Sequence, residues 1–221
     1  MRLIGKSVIV AAAAAGFCIA AAAGSASALP ADYTVSPAGT TAITASSGTN
    51  TLVFQDATPG HTNAKLTCAP VGTTAAFNGS GSAIGGGHSY FTAPPSDPAA
   101  TLATATLGST AAPCKNALVG NVTVTLSGFP WSLGCTLKTA SGCNGFLFGV
   151  TAHLAATGCS LDASGRINGA YNNTGSFVGN ITSGLTVGGV TGALCSAIPV
   201  ANGDVAYLSG TINISPAMTI S

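Results

Sequence analysis

The sequence predicts an all-β domain, an antiparallel sandwich or barrel closed by disulfides and carried behind an N-terminal signal peptide. Three observations predict it. Apolar and polar residues alternate with period two in several segments, helical periodicity is absent after residue 28, and the cysteines beyond the leader are even in number.

The leader has three zones. Arg2 and Lys6 open it, the apolar run Val8–Ala23 forms its centre, and Ala26-Ser27-Ala28 is a small-x-small cleavage signal. The run is alanine-rich and shorter than the roughly 20 residues that a bilayer core requires. Residues 1–28 therefore read as a cleaved signal peptide, and residues 29–221 as one secreted domain with no transmembrane span. Cys18 follows Phe17, which argues against a lipid attachment site.

Strands are expected in order at Thr51–Gln55, Ala64–Cys68, Leu102–Leu107, Asn121–Ser127, Phe146–Leu154, Arg166–Tyr171 and Ser176–Ile181, and in the last segment from Val205 to Ile214. In the fourth, Val122, Val124 and Leu126 alternate with Thr123 and Thr125. In the last, Ala206, Leu208, Ile212 and Ile214 share one face. Branched side chains suit a pleated surface, and Thr and Val are frequent here. Turns are expected at Thr58-Pro-Gly60, Asn78-Gly79 and Asn202-Gly203, with hairpin loops at Asp162–Gly165 and Tyr171–Gly175. The Gly-rich stretch Asn78–His88 and the Pro-rich stretch Ala93–Ala100 read as one long surface loop around 78–100. Tyr33–Pro37 and Ile214–Pro216 each place Ser-Pro after a strand, which makes the terminal strands expected neighbours.

Cys68, Cys114, Cys135, Cys143, Cys159 and Cys195 read as disulfide partners in an exported chain. Spacing favours Cys135–Cys143 as a local closure, leaving Cys68 with Cys114 and Cys159 with Cys195, although sequence alone leaves the connectivity open. Metal-type spacings such as CxxC are absent, so no metal ligand and no cofactor is expected.

Charged residues make up 5% of the chain, against about 25% in ordinary soluble domains. Lys65, Lys115, Lys138 and Arg166 face Asp32, Asp56, Asp97, Asp162 and Asp204, with no glutamate. Such a chain has no basic patch for phosphates, which excludes nucleic acid as a partner. A hydrolase needs a base and an orienting acid beside its nucleophile. His61 and His88 follow glycines in loop-like sequence, His153 sits on the polar face of a strand, and no G-x-S-x-G occurs. No catalytic residue is expected. Phe129-Pro130-Trp131, with the sole tryptophan, has two readings: a core plug beside a disulfide, or an exposed anchor for hydrophobic material.

Ser36-Pro37, Leu66-Thr-Cys68, Gly128-Phe-Pro-Trp131, Gly158-Cys159, Asn168-Gly-Ala-Tyr-Asn-Asn-Thr174 and the ending Leu208–Pro216 give the chain a pattern. It resembles secreted bacterial alkane-oxidation activator (Pra-type) proteins and their uncharacterised secreted relatives. The resemblance implies an exported factor that helps cells contact or emulsify hydrocarbons without oxidising them. Cys135, Cys143 and the Gly/Pro-rich connection depart from it.

The expectation is a secreted or cell-surface protein, not an enzyme, acting at hydrophobic interfaces, with lipid or hydrocarbon as partner and Phe129 and Trp131 as contacts. So few charges fit a surface that meets something other than bulk water. The alternatives are a self-assembling subunit of a surface layer, fibre or envelope, with the terminal Ser-Pro strands as its growing edges, and, weakest, a secreted hydrolase.

Overall fold

A computed structural model describes residues 33–37, 39–61, 64–87, 98–180 and 184–221. The leader, Asp32, His88, the stretch to Asp97 and Ile181 lie outside the described residues. The chain runs through β1 (Tyr33–Ser36), β2 (Thr41–Ser46), β3 (Leu52–Asp56), β4 (Lys65–Cys68), β5 (Phe77–Ala83), β6 (Gly86–Gly87), β7 (Ala100–Leu107) and β8 (Cys114–Asn116). It continues through β9 (Gly120–Ser127), β10 (Trp131–Thr139), β11 (Gly142–Ala156), β12 (Cys159–Asn172), β13 (Ser176–Gly179) and β14 (Leu185–Thr191). A 3₁₀ turn, Ala193–Ser196, precedes β15 (Val205–Ser215) and β16 (Thr219–Ile220). Among the described residues no helix is long and apolar enough to cross a membrane.

The 13-stranded main sheet is antiparallel and closes on itself. The long strands β11, β12 and β15 run through two hydrogen-bonded circuits. One returns through β13, β15, β2, β5, β7 and β10; the other through β14, β15, β3, β4, β8 and β9. β15 shows how the circuits share a strand. On one flank it pairs with β14 and then β13, on the other with β3 and then β2. Ala206, Leu208, Ile212 and Ile214 are buried inside, as their alternation predicts, in a continuous core with Leu52, Phe77, Leu147, Ile167 and Val187.

A 3-stranded sheet, β16-β1-β6, joins the first and last described strands, and its Tyr33, Val35 and Ile220 belong to the same core. The two strands that run into Ser-Pro, β1 and β15, are not paired with each other. The partner of β1 is instead the short strand after Pro216, with Val35 opposite Ile220.

Three disulfides staple the sheet: Cys68–Cys114 between β4 and β8, Cys135–Cys143 across the β10–β11 hairpin, and Cys159–Cys195 from β12 to the 3₁₀ turn.

Three further readings need correction. Asn78-Gly79 is not a turn: β5 occupies the first part of the Gly-rich stretch, between β2 and β7. A Cβ at Gly81 would collide with the Thr101 carbonyl, so glycine serves close backbone approach there rather than loop flexibility. Asp162–Gly165 is not a loop but the middle of β12, where pairing with β11 on one side and β14 on the other outweighs local turn preference.

The third concerns Trp131. It is 1% exposed in the core, its indole N–H donating to the Ser127 carbonyl at 2.8 Å, so it is no external anchor. Half-buried Phe129 stacks on it with ring centroids 4.7 Å apart, which directs both rings to packing.

Candidate functional site

Two places on the molecule concentrate chemistry. The larger is a trough on the outer face of β10–β13. Cross-strand partners share a face, so the register gives its rows directly. Leu137, Asn144, Ala170 and Val178 form one row, Phe146 and Asn168 the next, Phe148 and Arg166 a third. The alternate residues Leu147, Ile167 and Tyr171 point into the core. Thr136, Asn144, Phe146, Arg166, Asn168 and Asn180 line an open hollow of about 530 Å³, within the size range of ligand sites.

The trough is amphiphilic. Arg166 lies over Phe146, its guanidinium carbon 5.2 Å from the ring centroid, and Phe146 is only 1% exposed. Phe148 meets Phe146 edge-on at 6.2 Å. At the outer row, by contrast, Leu137 is 61% and Val178 44% exposed. Alkyl surface is thus offered at both ends of the outer row, with a guanidinium and carboxamides between and beside them.

The second place joins residues far apart in the chain. Asp56 ends β3, His61 follows in the turn, and Asp204 immediately precedes β15. His61 Nδ1 lies 3.0 Å from Asp56 Oδ2 and 3.0 Å from Asp204 Oδ2. The Thr58 N–H donates to Asp56 Oδ1 at 2.7 Å and the Ala201 N–H to Asp204 Oδ2 at 2.6 Å. The Asp56 hydrogen bond is the main cause raising the His61 pKa above its ordinary value; burial opposes it, and the charges of Asp204 and Asp56 add to it. At Asp204 burial disfavours the charged form, but the Ala201 N–H, Asp56 and His61 outweigh it and hold the carboxyl below its usual value.

The remaining sequence candidates stay apart. His153 Nδ1 meets Asp162 Oδ1 at 2.7 Å as an exposed cross-strand pair, matching the solvent-facing position expected for it. All six cysteines among the described residues are in disulfides. Sequence reasoning passed over the trough, whose signal is the alternation Asn144-x-Phe146-x-Phe148 with Arg166-x-Asn168-x-Ala170. No local window contains the second place either, since only folding brings Asp204 to His61. No family model, curated protein or solved structure matches this chain.

Proposed function

We propose that this is an exported, non-enzymatic protein that contacts amphiphiles and oil-like surfaces through the trough of β10–β13. Three disulfides support export to an oxidising compartment. The observation that carries the binding role is the trough's mixed polarity: exposed Leu137 and Val178 stand at the two ends of one row with Asn144 and Ala170 between them, and Arg166 and Asn168 lie in the rows beside it. An alkyl chain gains by covering the former, and an anionic or hydroxyl head by meeting the latter. This moves the contact away from Phe129 and Trp131 but keeps the hydrocarbon-facing role that the resemblance to alkane-oxidation activators implies. A flat sugar is a poorer fit, because Arg166 already covers the one fully buried ring it would stack upon.

Dodecanoate titrated into the mature protein tests the reading. Saturable binding is expected. Leu137→Ser with Val178→Ser should weaken it roughly tenfold, given the apolar area lost. Arg166→Gln should weaken dodecanoate more than dodecanol. Binding untouched by either change, or none at all, sinks the proposal.

A further inference from the structure

We infer that Asp56, His61 and Asp204 hold one first-row divalent cation, bound through Nδ1 and one oxygen of each carboxylate. The three donor atoms converge within 4.8 Å of one another. Both carboxylate oxygens stand 3.0 Å from the same Nδ1. That nitrogen bears at most one hydrogen, shared between two anionic oxygens, of which Asp204 Oδ2 also accepts from the Ala201 N–H at 2.6 Å. Donors about 3.0 Å apart are, however, the edge of an octahedron whose metal–ligand bonds are about 2.1 Å.

Charge points the same way by a separate route. Asp56 is 3% exposed and lies in the wall of a mainly apolar cavity of about 40 Å³ with Phe54, Leu66, Val187 and Ile198, which Lys65 and Asn116 also line. Two carboxylates outnumber one imidazolium, and His61 is the only cationic group in ion-pair contact with either among the described residues. Anionic charge left over in an apolar wall is costly, and a divalent cation balances both carboxylates. Imidazole with carboxylate suits zinc or manganese(II); calcium prefers oxygen donors throughout. His61 is partly exposed, which leaves coordination positions for water. The bound ion ties the end of β3, the turn after it and the entry to β15 into one unit.

The test uses the mature disulfide-bonded protein, stripped with EDTA and titrated with ZnCl₂ and MnCl₂. One equivalent should bind, and the melting temperature should rise by about 5–10 °C at a hundredfold excess over Kd. His61→Ala and Asp204→Asn should each cut affinity at least tenfold, while His153→Ala, which removes the other His–Asp pair, leaves it unchanged. Manganese(II) paramagnetic resonance on the unmodified protein needs no variant: the free-ion signal should be suppressed until one equivalent is bound. A free-ion signal undiminished from the first addition, or His61→Ala binding as the wild type does, overturns the site.

Discussion

Trp131 shows what a residue type settles and what it leaves open. The largest apolar side chain next to a strand fits a core plug and a surface anchor equally well on composition. The decision lies in the Ser127 carbonyl that receives its N–H and in the neighbours that enclose it. Trp131→Ala should therefore cost about 3–5 kcal/mol in denaturant unfolding, as large core truncations do, with no specific loss of amphiphile binding in the folded fraction. Gly145 is another such case. Its Cβ would strike the Gly134 carbonyl on β10, so Gly145→Ala should destabilise the β10–β11 hairpin by about 1–3 kcal/mol, visible as a lowered melting temperature. Titration at the Asp–His–Asp group has a definite sign in chelated protein. The His61 pKa is raised on folding, so its contribution is full below the unfolded value of 6.5 and fades as pH rises through the folded one. Asp204 works in reverse, contributing above 3.8 and losing its effect as pH falls through its lowered folded value. Melting curves at pH values rising from 6.5 should decline for the chelated wild type, and His61→Gln should flatten that decline.

Among the elements, those with clean alternation were legible. β9 and β15 appear where Val122–Leu126 and Ala206–Ile214 place them, because one face of each meets the core. β5 and the middle of β12 were not, since glycine, asparagine and aspartate carry the same local preference whether they end a strand or permit two backbones to approach. Partners far along the chain decide between these, and no local window contains them. The trough was illegible for a related reason: its rows come from register between four strands. Pairing also bears on self-assembly. β15 is hydrogen-bonded along both flanks, so it offers no open edge to a second copy. Ile212→Lys and Ile214→Lys should consequently unfold the domain rather than block growth, as circular dichroism would register. The bridges differ in reach. Cys68–Cys114 spans 46 residues and Cys135–Cys143 only 8. On loop-closure entropy, Cys→Ala pairs should cost about 4 and about 2.5 kcal/mol respectively in denaturant titrations.

For the molecule as a whole, closure of the sheet distributes stability unevenly. β11, β12 and β15 belong to both circuits, and their amide hydrogens should exchange last, while those of β1 and β16 exchange early. Mass-spectrometric exchange with peptide resolution checks this, and uniform protection would argue against a shared spine.

The pairing of β1 with β16 works as a clasp between segments far apart in the chain. Thr34 and Ser221 exchange backbone hydrogen bonds of 2.8 and 3.0 Å, and the Tyr171 hydroxyl is engaged by Met218 through both its carbonyl and its N–H. Strand β1 is thus held by a segment 187 positions further along the chain. A single cut between Pro216 and Thr219 would leave that clasp without its covalent tether, while every strand of the main sheet kept its neighbours.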